Sequence, residues 1–165
     1  MKTFIILSMH RSASSLVAKA LANEIDMGAV YRPIDDQPAG NWENLEFVML
    51  NERILAAAGG SWHEPPTREA ILNVRPEIKK MCRILVESFN AKGQLWGWKD
   101  PRTCLTIELY EPYLINPHYI APFRNPTQVA YSLQKRNGFS IDKGKELARI
   151  YNNRILQFLT KRGYF

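Results

Sequence analysis

The chain has 165 residues, 45% of them hydrophobic, which is enough for one domain with a sizeable apolar core. Its formal net charge is +6, but the lysines and arginines are spread along the chain. That spread favours an anionic ligand over a nonspecific nucleic-acid grip, although charge alone is equally consistent with a merely basic surface. The N-terminal apolar run is interrupted at His10 and Arg11, and no later run could cross a bilayer. We therefore expect a single cytoplasmic domain, residues 1–165, with no nucleic-acid or membrane partner.

The chain begins with a strand, a turn and a helix. Residues 3–7 form a continuous β-rich apolar run, as expected for a strand buried on both faces of a parallel sheet. Residues 16–21 then place apolar side chains at helical spacing, with Ser14 or Ser15 available as the N-cap. The intervening turn is thereby placed at residues 8–13, and the Pro- and Gly-containing segment 28–41 is predicted to be a loop.

Strands and helices alternate through the rest of the chain. The further predicted strands are residues 94–98 and 118–123. The further predicted helices are residues 43–58, 67–89 with a kink or division at Pro76, a segment after Arg102 that reaches Tyr113, 127–135 and 142–160. This alternation predicts a three-layer α/β/α fold with a central parallel sheet.

Each predicted strand of the sheet is followed by a basic residue: Arg11, Lys99 and Arg124. Ligands of open parallel sheets bind beyond the carboxyl ends of the strands, so these three cations are expected to meet. A turn that leads into a helix also offers unpaired backbone N–H groups and the positive end of the helix dipole. The pattern therefore predicts one anionic ligand at this edge of the sheet.

The first turn reads HRSASS, residues 10–15, and lacks the Gly-Lys pair of the P-loop of nucleoside triphosphatases. In that loop the lysine reaches the terminal phosphates and the next hydroxyl binds magnesium, so an ATPase or kinase is disfavoured here. The run of serines would also be explained by helix capping alone.

Three stretches occur together in this order: MHRSASSLVAKAL, WGWKDPRT and FRNPTQVAYSL. With them the sequence resembles the sulfotransferases that use 3′-phosphoadenosine 5′-phosphosulfate (PAPS), whose bacterial members often read Gly-x-His-Arg-Ser-Gly-Thr-Ser-Leu in the first motif. The segment GNWENLEFVMLNERIL is similar to the helix after the acceptor loop in bacterial and glycan-type members, so the resemblance covers most of the chain. It implies a P-loop-NTPase-like sulfotransferase fold and metal-independent transfer of a sulfonyl group to a hydroxyl or amine.

The resemblance also implies which residues bind the donor. The residues implied to hold the 5′-phosphosulfate are Arg11, Ser12, Ala13, Ser14 and Ser15, and those implied to hold the 3′-phosphate are Arg124 and Ser132. Ser8 and Ala13 stand where many relatives have glycine. A positive φ at Ala13 would cost on the order of 1 kcal/mol.

Sulfonyl transfer needs in-line positioning and cations where charge develops, as phosphoryl transfer does. The resemblance assigns Arg11 and Lys99 to the transferring sulfonate and the leaving phosphate. Arg102 would either assist them or form a salt bridge with Asp100 or a nearby glutamate.

The acceptor must also lose a proton, which requires a base across from the sulfur. Glu43 is the first candidate, Glu46 the second and Asp100 the third, because glycan-type relatives have a glutamate base near this place. Acidic residues in a first helical turn are also favoured by the helix dipole alone.

Four other side chains have less specific predicted roles. Trp42 is predicted to stack on adenine or a sugar, and His10 to line the site. Cys82 and Cys104 lack the spacing of a metal or redox motif and are predicted to be core residues of a protein in a reducing compartment.

The acceptor is predicted to be a small molecule or a glycan. The loops at residues 28–42 and 59–66 are predicted to shape the pocket that binds it. A noncatalytic nucleotide- or anion-binding domain of the same fold remains an alternative, and a P-loop kinase is a third. The resemblance implies a further strand and a basic glycine-containing loop after the final TKRGYF, so we expect either a compact variant or a piece of a longer protein.

Overall fold

The computed structural model describes residues 1–30 and 40–164. Its elements in chain order are β1 (Thr3–Ile6), α1 (Ser14–Leu21), β2 (Ala29–Val30), β3 (Glu43–Asn44), α2 (Leu45–Ala57), α3 (Arg68–Leu72), α4 (Pro76–Asn90), β4 (Trp96–Lys99), α5 (Thr103–Tyr110), a 3-10 helix (Glu111–Tyr113), β5 (Pro117–Ile120), α6 (Pro126–Asn137) and α7 (Ile141–Thr160). The predicted α/β class with a parallel sheet is confirmed: β1, β4 and β5 form a three-stranded parallel sheet, and the described residues form seven α-helices.

The central strand of the sheet is β1, with β4 on one side and β5 on the other. Thr3 is paired with Trp96 in β4 and with Pro117 in β5, so all three strands run in register toward the same edge. Gly97 allows β4 to approach closely, because a Cβ at this position would lie 2.2 Å from the carbonyl oxygen of Phe4. The carboxyl ends of the strands therefore meet at one edge of the sheet.

Both faces of the sheet are covered by apolar side chains. Successive residues of β1 point to opposite faces, so Ile5 belongs to the larger core cluster and Ile6 to the smaller one. In the larger cluster, Phe47 of α2 stacks on Trp98 with ring centroids 4.1 Å apart. In the smaller cluster, Ala18 of α1 packs against the other face. The uninterrupted apolar sequence of β1 follows from this double burial.

Element boundaries differ from the predictions in several places. Pro76 divides the predicted third helix instead of kinking it, since α3 ends at Leu72 and Pro76 opens α4 at a position where its missing N–H is not needed. Helix α2 begins at Leu45, because Asn44 is its N-cap and accepts a hydrogen bond from the amide of Glu46. The prediction that Glu43 lies in this helix is therefore wrong: it lies in β3, which pairs with β2 inside the predicted loop. The rest of that loop, residues 31–39, lies outside the described residues.

The turn between β1 and α1 also corrects a prediction. Neither Ser14 nor Ser15 is the N-cap; Ala13 takes that position in a left-handed conformation with φ 64°, and no side chain caps the helix. Arg11 is left-handed as well, with φ 66°. The two left-handed residues reverse the chain early enough that both serines lie inside the first helical turn. Ser15 then donates to the carbonyl oxygen of Asn41 at 2.9 Å.

Two observations bear on the general class of protein. Among the described residues, no helix is both long and apolar enough to cross a lipid bilayer. Cys82 and Cys104 are buried in the larger core cluster without a disulfide, which confirms them as core residues. Burial raises the pKa of the Cys82 thiol to about 12.

Replacing Ala13 by glycine should stabilise the protein. Glycine adopts φ 64° without the steric cost that a Cβ brings, so the free energy of unfolding should rise by about 0.5–1 kcal/mol in urea titrations. The matched control is Ala56→Gly on the exposed surface of the last turn of α2, which should lower it by less than the roughly 1 kcal/mol of a helix interior. Destabilisation by Ala13→Gly would contradict the left-handed turn.

Candidate functional site

A cavity of about 580 Å³ opens where the three parallel strands end. It is referred to below as the central cavity, and the residues that line it are His10, Arg11, Ala13, Ser14, Ser15, Gly40, Asn41, Glu43, Trp62, Lys99, Pro101, Arg102, Arg124, Arg136 and Asn137. The turn after β1, the last residue of β4 and the segment after β5 thus face one space. Arg11, Lys99 and Arg124 therefore line one cavity, as expected from their places at the strand ends.

The charges of the central cavity are strongly unequal. Among the described residues its lining contains the five cations Arg11, Lys99, Arg102, Arg124 and Arg136, but only one carboxylate. Helix α1 also points its first turn, at Ser14, toward this space, and the amides of a first helical turn have no intrahelical partners. Cations and helix amides together attract an anion.

The one carboxylate, Glu43, is bound to the most buried cation. Lys99 Nζ lies 2.9 Å from Glu43 Oε1 and 2.9 Å from the carbonyl oxygen of Asn41. The exposed fractions of the two side chains are 4% for Lys99 and 17% for Glu43, so the ion pair is only slightly screened by water. Ser15 Oγ is the third neighbour of Lys99 Nζ, at 3.4 Å. An anion that approaches Lys99 must therefore compete with Glu43.

Arg102 has three carboxylates as neighbours. Its guanidinium donates to Asp100 at 2.8 Å and to Glu52 at 3.0 Å, and it lies 3.9 Å from Glu43. The alternative in which Arg102 forms a salt bridge with Asp100 is thus the one observed. Asp100 is fully buried, and its second oxygen accepts from Asn51 Nδ2 at 2.7 Å.

Behind Asp100, hydrogen bonds continue into the core. Asn51 Oδ1 accepts from Thr106 Oγ1 at 2.6 Å and from the Tyr110 hydroxyl at 2.8 Å. Thr103 Oγ1 accepts from Asn51 Nδ2 and from the indole of Trp98. This buried network fixes Asp100, and Asp100 in turn holds the Arg102 guanidinium at the wall of the central cavity.

Arg124 and Ser132, the two residues predicted to bind the 3′-phosphate, both contact Arg11. Arg11 Nε donates to Ser132 Oγ at 2.7 Å, and Arg124 donates to the carbonyl oxygen of Arg11 at 3.0 Å. Arg124 also contacts Gln128 at 3.2 Å, but its side chain is largely exposed at the rim of the cavity. Ser132 keeps a hydroxyl proton to donate, since accepting one bond uses only one of its lone pairs.

His10 forms another part of the wall. It is buried against Trp62, with ring centroids 4.5 Å apart, and near Tyr151 at 6.0 Å. Burial lowers the pKa of His10 well below its usual value, and the positive charges of Arg102 and Arg136 lower it further. The imidazole is therefore neutral at pH 7.

The structure separates the predicted site residues into those that line the cavity and those that do not. The ones in the lining are Arg11, Ala13, Ser14, Ser15, Glu43, Lys99 and Arg124. Ser12 is buried and Ser132 is reached through Arg11. Glu46 is exposed beside a separate groove between α2 and α4, and Trp42 packs against the smaller core cluster; neither is among the described residues that line the central cavity.

Sequence reasoning missed several residues of this region, among them Asn41, whose carbonyl oxygen accepts from Lys99. Arg136 and Asn137 line the cavity, and Arg136 follows Ser132 by four residues, which places both on one face of α6. Asn51 is buried within the apolar face of α2, four residues after Phe47. Helical spacing was a sufficient signal for Asn51, a polar residue within an apolar helix face, whereas the approach of Arg136 and Asn137 to the cavity depends on where α6 packs.

Comparison of the chain with family models, with curated proteins and with solved structures gave no match.

Replacing Glu43 by glutamine should strengthen anion binding. Lys99 then no longer has to leave an ion pair, so the affinity for inorganic pyrophosphate, measured by calorimetry at constant salt, should rise about fivefold. Glu46→Gln makes the same charge change on the exposed surface of α2 and should have little effect. An equal gain in both variants would show a general charge effect and contradict the competition between Glu43 and the anion.

Stability should depend on pH through His10. The unfolded state takes up a proton near the ordinary pKa of histidine, about 6.5, whereas the folded state does not. The free energy of unfolding should therefore fall as the pH drops below about 6.5, by up to about 1.4 kcal/mol per pH unit from this group. Urea titrations at several pH values should show a shallower fall in His10→Phe; identical slopes would contradict the buried neutral imidazole.

Proposed function

We propose that this protein is a cytoplasmic PAPS-dependent sulfotransferase with the three-layer, P-loop-NTPase-like sulfotransferase fold. It would move a sulfonyl group from PAPS to a hydroxyl or amine of a small-molecule or glycan acceptor. The observation that supports this best is that Arg11, Lys99 and Arg124, each at or after the end of a parallel strand, line one cavity with the first turn of α1. The same residues carry the sequence resemblance.

In this proposal the 5′-phosphosulfate lies against the turn of residues 11–15. The S–O bond to the 5′-phosphate breaks while the acceptor oxygen or nitrogen forms its bond to sulfur from the opposite side, and the acceptor proton passes to a base. The negative charge that develops on the leaving phosphate is stabilised by Arg11 and Lys99, which are already positioned at the cavity wall.

Glu43 is the best-placed of the three proposed bases. It is the only one of them that lines the cavity, and it lies 2.9 Å from Lys99. Asp100 is fully buried with both oxygens engaged, and Glu46 is exposed outside the cavity. When Lys99 turns to the donor, Glu43 loses that partner and its carboxylate becomes available to the acceptor proton.

The 3′-phosphate is assigned to Arg124 at the rim. Its planar guanidinium can form two parallel hydrogen bonds with a phosphate. Arg11 connects Arg124 to Ser132, because Arg124 donates to the carbonyl oxygen of Arg11 and Arg11 Nε donates to the Ser132 hydroxyl. This pair would separate a 3′-phosphorylated nucleotide from ordinary adenine nucleotides.

A noncatalytic nucleotide- or anion-binding domain is the second candidate, and the contacts of Lys99 favour it. Lys99 already has Glu43, Asn41 and Ser15 as partners, so the lysine meant for the sulfonate is satisfied within the chain. This candidate predicts nucleotide binding without turnover on any acceptor. A P-loop kinase would instead bind ATP in a magnesium-dependent manner.

Calorimetry with nucleotides tests the proposal. Adenosine 3′,5′-bisphosphate, the product left after transfer, should bind at least about tenfold more tightly than 5′-AMP or ADP, because Arg124 contacts the extra phosphate. Arg124→Ala should remove that preference. The control Arg149→Ala removes an exposed arginine of α7 outside the cavity and should retain it. Absence of any preference in the wild-type protein would sink the proposal.

A further inference from the structure

The wall of the central cavity formed by His10, Trp62, Arg136 and Asn137 has no role in the donor site. It is called the His10 wall below. Its members touch one another: His10 packs on Trp62, the Arg136 guanidinium lies 5.6 Å from the Trp62 ring centroid, and Arg136 Nε donates to Asn137 at 2.7 Å. The His10 wall is thus an organised surface of the same cavity.

His10 carries an unsatisfied polar atom. Its Nε2 is buried and has no hydrogen-bond partner in residues 1–30 and 40–164, although the residue lines the cavity. An unpaired buried nitrogen is costly, and native proteins keep such groups mainly where a ligand or water completes them. A ligand group in the cavity that reaches the imidazole would supply the missing partner.

The surroundings of His10 limit what that group can be. The charged side chains near it are Arg11, Lys99, Arg102 and Arg136, so a ligand ammonium group is disfavoured there. The imidazole is neutral, and Nε2 is a donor in one tautomer and an acceptor in the other. A hydroxyl fits both cases, because it can donate as well as accept.

Arg136 adds a second requirement. Its guanidinium is stacked over Trp62 and tied to Asn137, which fixes a planar, permanently charged donor at the cavity wall. Such a group recognises carboxylates, sulfates and phosphates.

We propose that the His10 wall is the acceptor subsite and that it takes a hydroxyl compound with a second, anionic group, the hydroxyl bound by His10 and the anion by Arg136. That this ligand is the acceptor rests on the proposed function, whereas its chemistry is inferred from the residues of the His10 wall alone.

Three matched probes test this directly. 4-Hydroxybenzoate has both groups, 4-hydroxybenzamide lacks the charge, and benzoate lacks the hydroxyl. Binding is followed by NMR through the imidazole signals of the chain's three histidines, assigned with His10→Phe. 4-Hydroxybenzoate should shift the His10 signals and bind roughly tenfold more tightly than either analogue.

Two variants test which residue is responsible for each preference among the three probes. Arg136→Gln should abolish the preference for hydroxybenzoate over hydroxybenzamide, and the control Lys135→Gln, an exposed neighbour on α6, should keep it. His10→Phe retains the ring against Trp62 and should abolish the preference for hydroxybenzoate over benzoate. Equal affinities for the three probes, unchanged preferences in these variants, or no shift of the His10 signals would each overturn the inference.

The titrations are run with and without saturating adenosine 3′,5′-bisphosphate, which separates this inference from the proposed function. Probe discrimination without nucleotide binding would keep the His10 wall as a ligand site and remove the sulfotransferase. Nucleotide binding without probe discrimination would keep the donor site and overturn the acceptor subsite.

Discussion

The close approach of β4 to β1 at Gly97 determines where the functional groups of this protein lie. A side chain at this position would meet the backbone of Phe4 at 2.2 Å, so only glycine allows the two strands to pair in the observed register. That register aligns Lys99 with Ile6, directly before the turn that carries Arg11. With β5 paired to the other side of β1, three chain segments from distant parts of the sequence reach one cavity.

Three of the cations around this cavity differ in the partners that hold them. Lys99 and Arg102 are bound to carboxylates, Lys99 to Glu43 and Arg102 to the buried Asp100 and exposed Glu52. Arg124, by contrast, makes its described hydrogen bonds to a carbonyl and an amide oxygen. An incoming anion can therefore be recruited at the rim by Arg124 and then compete for Lys99 inside. This order makes Glu43 both a competitor before binding and a candidate base after it.

Much of the fold and part of the site could be predicted from the sequence. The meeting of Arg11, Lys99 and Arg124 followed from strand–helix alternation, because parallel strands share one carboxyl edge. The prediction of a serine N-cap was wrong, because capping preference is a local property and does not take account of the left-handed turn at Arg11 and Ala13. The pairing of Glu43 with Lys99 depends on a two-residue strand, β3, which is too short to leave a periodic pattern. Arg136 reaches the cavity through the placement of α6, which no local pattern specifies.

A crystal structure of the protein with adenosine 3′,5′-bisphosphate would show whether the central cavity holds the nucleotide. We expect the 5′-phosphate against residues 11–15 and Lys99, with the Lys99–Glu43 contact broken, and the 3′-phosphate against Arg124. A nucleotide bound outside the central cavity, or bound within it while Lys99 stays on Glu43 and Arg124 touches no phosphate, would contradict this expectation.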